Sequence, residues 1–166
     1  YTRATQVDFL RTSMLIEKWR NQLSTPIGHL LITPRADDAY IAAHPRSGST
    51  WLRTILTNIL EPESRGHPDQ FNARIPAVSI RNSVAINQLA SPRLIMTHSL
   101  WRPKVQKAIY LIRDGRDAFI SYYHYQTTRR GVRMGAAQFS RLYHDRVFGD
   151  TWADHVHSWL TIGRQS

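Results

Sequence analysis

The 166-residue chain contains no cysteine, which excludes disulfides and Cys-ligated zinc. It lacks any apolar run of the roughly 18 residues that a membrane-spanning helix needs. The opening stretch, Tyr1 to Asp8, lacks a secretory signal pattern. Internal repeats and low-complexity tracts are absent too. So is the GxxxxGK[ST] spacing of a Walker phosphate loop, which counts against an ordinary ATPase or GTPase. Acidic residues are scarce: 12 stand against 22 Lys and Arg, leaving a formal net charge of +10. That excess favours an anionic partner, whether nucleic acid, a membrane surface or a phosphorylated small molecule. Against these absences stands a hydrophobic content of 42% with only 20% charged residues, enough to build a core rather than a disordered chain. The length suits one domain over residues 1–166. The chain begins without Met and reads as a fragment, or as a domain cut from something longer.

Periodicity places a helix over Phe9 to Gln22, broken by Ser24, Thr25, Pro26 and Gly28. Asp37-Asp38 read as a turn. Three short apolar runs read as buried strands: Ala39 to Ala43, Arg93 to Thr97 and Ala108 to Ile112. Helical spacing follows at Thr50 to Leu60, Ser83 to Leu89, Asp117 to Gln126, Ala136 to Arg146 and Thr151 to Ile162. Glu63 to Pro76 reads as surface loop and Thr127 to Gly131 as a basic loop. Short strands alternating with helices imply an α/β fold, a parallel sheet flanked by helices. Ligands in such sheets bind beyond the carboxyl ends of the strands. Three places qualify: the loop Pro45 to Thr50, His98 and its neighbours, and Arg113 to Asp117.

The first of these has the makings of a phosphate cradle. Gly48 lets the backbone approach an anion closely. Backbone N–H groups at the start of the following helix attract negative charge. Ser47, Ser49 and Thr50 add hydroxyls and Arg46 adds a fixed charge. The plainer reading of the same residues is a helix cap, since Ser or Thr before an apolar helix is common. At the third place, Arg113 ends a strand and Ser121 lies near the second turn of the next helix. A guanidinium and a hydroxyl there can grip a phosphate together; the plainer reading is an exposed Arg and a helix-interior Ser.

The stretch HPRSGSTWL resembles the 5′-phosphosulfate loop of the sulfotransferases, usually PKSGTTWL. Pro45, Ser47, Gly48, Thr50, Trp51 and Leu52 match. Arg46 stands in place of Lys and Ser49 in place of Thr. KAIYLIRDGRDAFISYYHY resembles that family's 3′-phosphate segment at Tyr110, Arg113, Arg116, Asp117, Ser121, Tyr122, Tyr123 and His124. RLIMTHSLW resembles the stretch that carries its catalytic base, with Thr97 and His98 matching and Met96 where many cytosolic members have Lys. FGDTWADHVHSWL is similar to YGSWFDHVKGWW and reads as scaffold and acceptor-side wall.

The resemblance, which runs from about Tyr40 to Leu160, implies the P-loop-like nucleotide-binding fold of the sulfotransferases. It implies transfer of a sulfuryl group from PAPS (3′-phosphoadenosine-5′-phosphosulfate) to a hydroxyl or amine of an acceptor, a small molecule or a glycan. The loop Arg46 to Thr50 would hold the 5′-phosphate and sulfate. Trp51 would pack on the adenine, and Arg113 and Ser121 would take the 3′-phosphate. His98 would be the base, with Arg46 stabilising the leaving group; His44, beside the loop, is the next candidate base. The resemblance implies a cytoplasmic protein, no metal and no nucleic-acid partner. A segment of the type RKGxxGDW, which closes over the 3′-phosphate and adenine in the family, does not occur before Ser166, so the chain reads as truncated. Two rivals remain. An ATP-dependent phosphoryl transferase would need Asp114 or Asp117 to hold magnesium. A non-catalytic polyanion-binding module would draw on the positive charge and the interleaved Tyr, His and Arg.

Overall fold

In the computed structural model, which describes residues 27–64, 70–146 and 149–163, one central strand organises the sheet. That strand, β1 (Ala39–Ala43), pairs in parallel with β2 (Leu94–Thr97) on one side and β3 (Ala108–Leu111) on the other. Its all-apolar sequence fits a strand covered on both faces, and Ile41, Ala42 and Ala43 are fully buried. The expected helix over Phe9 to Gln22 lies outside the described residues. Among the described residues no helix is long and apolar enough to cross a membrane.

Where the chain enters the sheet, Asp38 and Arg93 form a buried pair, with Arg93 Nε 2.7 Å from Asp38 Oδ1 and Nη2 2.6 Å from Oδ2. The guanidinium also donates to the carbonyls of Ile86 and Thr33. Burying an arginine is costly unless it is paired and hydrogen-bonded, and here each guanidinium nitrogen has a partner. The pair ties the starts of β1 and β2 together, supported by Ala39 N–H donating to Arg93 O.

After β1, the chain turns through Arg46 and Gly48 into α1 (Ser49–Leu60). Leu52 and Leu56 pack on Ile41, Ala43, Ile75 and Met96. Arg53 is also buried, and it explains one departure from the sequence reading. The segment read as loop over Glu63 to Pro76 contains a 3₁₀ turn (Pro62–Ser64) and a short helix, α2 (Gln70–Arg74). Arg53 donates to the carbonyls of Ile75 and Phe71 and to Asn72 Oδ1, and lies 4.7 Å from the centre of the Phe71 ring. A guanidinium capping carbonyls at the end of α2 holds it against α1, and Ile75 enters the core. Beyond it, Pro76 O and Val78 N–H bond to Met96, extending the outer edge of β2.

Helix α3 (Ser83–Gln88) precedes β2. Helix α4 (Gly115–His124) follows β3, capped by Asp114, whose side chain accepts from Arg116 N–H. The basic loop expected at Thr127 to Gly131 is largely helical: α4 runs on as a π-turn over Tyr125–Arg129. Thr127 and Thr128 return their hydroxyls to the carbonyls of Tyr123 and His124, bonds of the kind that bend a helix. Helices α5 (Ala136–His144) and α6 (Trp152–His157) complete the order, the latter with a reciprocal Thr151–Asp154 cap and a π-turn over Ser158–Ile162. Tyr122, Phe139 and Tyr143 form an aromatic cluster that seats α4 against α5.

Candidate active site

The carboxyl ends of β1, β2 and β3 open onto a cleft of about 900 Å³. The loop after β1 supplies its floor. Arg46 takes a left-handed backbone conformation with φ 72°, and Gly48 follows at φ 98°. For a non-glycine this costs on the order of 1–2 kcal/mol, and such strain gathers at functional turns. No side chain caps α1, so the plainer helix-cap reading of Ser49 and Thr50 is not realised. The first helical N–H groups have no intrahelical partner in any α-helix; here they lie at the cleft, beside Gly48, Ser49, Thr50 and Trp51 of its wall. Ser47 is not on that wall. Its hydroxyl is buried beneath the loop and unpartnered among the described residues.

Arg113, just past β3, donates from Nη1 to Arg46 O at 3.1 Å. Arg46 in turn reaches α4, its Nε 3.3 Å from Ser121 Oγ, and its guanidinium carbon lies 4.8 Å from the centre of the Tyr125 ring. The structure therefore brings Arg46, Arg113 and Ser121 together from three segments far apart in sequence. Trp152 fixes Arg113 from behind, donating Nε1–H to its carbonyl at 3.0 Å. The Trp152 ring packs so close to Gly115 that a Cβ there would meet it at 2.8 Å. A second hollow of about 400 Å³ adjoins the first and shares Arg46, Arg113, Ser121 and Tyr125.

His98 follows β2 and faces the same cleft. Its Nδ1 lies 2.6 Å from Ala43 O. A carbonyl only accepts, so Nδ1 carries the proton and the neutral ring has its basic lone pair on Nε2. Crowding by surrounding protein leads in pushing its pKa down, to about 4, although the residue keeps an exposed side on the cleft. The Ala43 bond opposes the shift, while His44, Arg53 and Arg46 reinforce it. Ser99 and Thr97 flank His98 and share a network with His29 Nε2, at 2.7 and 3.0 Å. Met96, in the position where the resemblance places Lys, is buried in the core and does not reach the cleft. His44 is buried too, with Tyr143 OH 3.3 Å from Nε2 and the His155 ring 5.8 Å away. It is not on the cleft wall.

Of the residues singled out in the sequence, Arg46, Gly48, Ser49, Thr50, Trp51, His98, Arg113 and Ser121 line one cleft. Trp51 is 78% exposed, an unusual position for a large ring. The wall also contains Arg102, Tyr125, Arg130, Arg146 and Asp150, which sequence reasoning missed. Tyr125 was within reach of it, standing one helical turn after Ser121. Among the described residues no group of three or more His, Asp or Glu could hold a metal ion.

A family model for the sulfotransferase domain matches residues 36–166. Mouse sulfotransferase 1E1 is 30% identical over 151 residues, covering 80% of this chain and 51% of its own length. Rabbit amine sulfotransferase is 28% identical over 141 residues, covering 75% of this chain and 46% of its own length. An Arabidopsis thaliana crystal structure named for a steroid sulphotransferase superposes with a TM-score of 0.66 at 18% identity, covering 88% of this chain and 57% of that one. Mouse SULT7A1 complexed with PAP gives 0.56 at 24% identity, covering 84% and 53%. At these identities the two structures establish the fold. The chain spans about half the length of the curated relatives it matches. The matched residues run from just before β1 through the cleft to the last helix, and on that match the chain belongs to the sulfotransferase domain family.

Proposed function

We propose that this chain carries the donor site and the proton acceptor of a PAPS-dependent sulfotransferase. The observation that carries this reading is the uncapped start of α1, opening on a cleft where Arg46, Arg113 and Ser121 converge. The loop amides and Arg46 face the 5′-phosphosulfate. Arg113 and Ser121 take the 3′-phosphate, and exposed Trp51 offers its ring to the adenine. Buried Ser47, its hydroxyl without a partner, gives the loop one more donor to turn toward an anion. The acceptor is a small molecule offering a hydroxyl or an amine. We place the protein in the cytoplasm, by its likeness to the cytosolic members.

The acceptor oxygen or nitrogen attacks sulfur in line, and the bond between sulfur and the bridging 5′-phosphate oxygen breaks. The acceptor proton passes to His98 Nε2, and adenosine 3′,5′-bisphosphate leaves with its negative charge met by Arg46 and the loop amides. The lowered pKa keeps His98 neutral, and so able to accept, at physiological pH. Transfer of labelled sulfuryl from PAPS to a phenol or amine by the full-length protein tests the reading. His98→Ala should lower turnover by about a hundredfold to ten-thousandfold and leave nucleotide affinity nearly intact. Turnover within about threefold of the parent, against that range, would remove His98 from the mechanism.

A further inference from the structure

Arg46 is an exposed residue on a left-handed turn, and its guanidinium is held from outside its own loop. Ser121 and Tyr125 stand four residues apart, where α4 passes into its π-turn, so both lie on one helical face. Ser121 Oγ accepts from Arg46 Nε at 3.3 Å, and the centre of the Tyr125 ring lies 4.8 Å from the guanidinium carbon. A cation is attracted to a ring face within roughly 6 Å. Arg113 fixes the same residue from a third side, through the 3.1 Å contact of its Nη1 with Arg46 O. Nη1 and Nη2 of Arg46 have no hydrogen-bond partner among the described residues, which leaves them for a ligand of the cleft that Arg46 lines. Ser121 accepts from Arg46 and keeps its own O–H to donate.

The ring that Arg46 lies on is itself anchored. Tyr125 packs against the buried cluster of Tyr122, Phe139 and Tyr143, with its ring centre 6.5 Å from that of Tyr122. Its hydroxyl is 3.3 Å from Arg130 Nε. A ring held by the core and by its hydroxyl presents a fixed face. Without such a face an exposed arginine spreads over many rotamers, and an incoming ligand must order it. A planar guanidinium can lie on the ring while its Nε donates sideways to Ser121. A lysine carries its charge at the tip of a flexible stem and has no donor equivalent to Nε. We propose that Tyr125 is a positioning residue for the donor: it holds the Arg46 guanidinium ready for the phosphosulfate, an arginine–tyrosine pair in place of the Lys that the resemblance puts at position 46. The inference rests on the sulfotransferase reading and adds to it a residue that acts on the donor through Arg46.

The test is a double-mutant cycle on the full-length protein, read by calorimetry with adenosine 3′,5′-bisphosphate. Tyr125→Leu should weaken binding by about three- to thirtyfold, and Tyr125→Phe, which keeps the ring, should restore most of that loss. Arg46→Met should weaken it by about tenfold or more. Adding Tyr125→Leu to Arg46→Met should then cost less than about twofold, the scatter of independent sites, because the group that Tyr125 positions is gone. Tyr125→Met, of adaptable shape, serves the same cycle if leucine disturbs the aromatic cluster enough to unfold the chain. Losses that multiply in the double variant overturn the proposal, since Tyr125 would then act on the fold or touch the nucleotide itself. Parent affinity in Tyr125→Leu overturns it as well. Both results leave the donor site standing. Failure of the bisphosphate to bind the parent protein removes the sulfotransferase reading, and this proposal with it.

Discussion

At His98 a single hydrogen bond decides which nitrogen is basic. Nδ1–H is committed to Ala43 O, and the lone pair is left on Nε2. Neither fact was legible in the sequence, where His98 was marked only by its place after a strand and by a motif. The motifs did single out Arg46, Arg113 and Ser121, which the structure brings together. Arg102 and Arg130 escaped notice, since nothing local distinguishes a cleft arginine from the other basic residues of the chain. Arg113 permits a sharp test. Its guanidinium touches Arg46 O and lies 3.8 Å from Asp117, an exposed pair worth little by itself. Arg113→Ala should weaken adenosine 3′,5′-bisphosphate by roughly tenfold or more and barely affect adenosine 5′-phosphosulfate, which lacks the 3′-phosphate. Equal losses for both would mean that Arg113 supports the fold or the overall charge instead.

Strands and the longer helices were legible because their apolar periods are local. Strand β1 was read at the residues where it stands, and α1 begins one residue earlier than expected. Helix α2 was hidden because its support is not local: Arg53, from the preceding helix, holds its final carbonyls. The π-turn after α4 was hidden because Thr, Thr, Arg and Arg have no helical apolar period. The turn into α1 has a mutational consequence. At Gly48 an added Cβ would meet only Leu111 Cδ2, at an ordinary 3.7 Å, but φ is +98°. Gly48→Ala should therefore cost about 1–2 kcal/mol through backbone strain rather than collision. Denaturant unfolding measures this loss. An unchanged midpoint would show that the turn tolerates a side chain, and its glycine would lose its explanation.

Across the whole molecule, the buried histidines couple stability to pH. Burial leads in lowering the pKa of His155, to about 3, and of His44, and it brings His29 to about 4. In the unfolded chain each titrates near 6.5. Between those values the unfolded state binds more protons, so stability rises with pH and is lost as pH falls below about 6.5. The melting temperature should decline steadily through this window, and His155→Gln should make the decline shallower. A flat melting temperature across the window would contradict the neutral burial of these rings. The central claim concerns the cleft: its anion sites are arranged for a nucleotide with a phosphate at each end of the ribose. Calorimetric titration of the protein with adenosine 3′,5′-bisphosphate and with Mg-ATP compares the two donors' frameworks directly. The account predicts tighter binding of the bisphosphate by about tenfold, one charge-assisted phosphate contact; equal or tighter binding of Mg-ATP would contradict it.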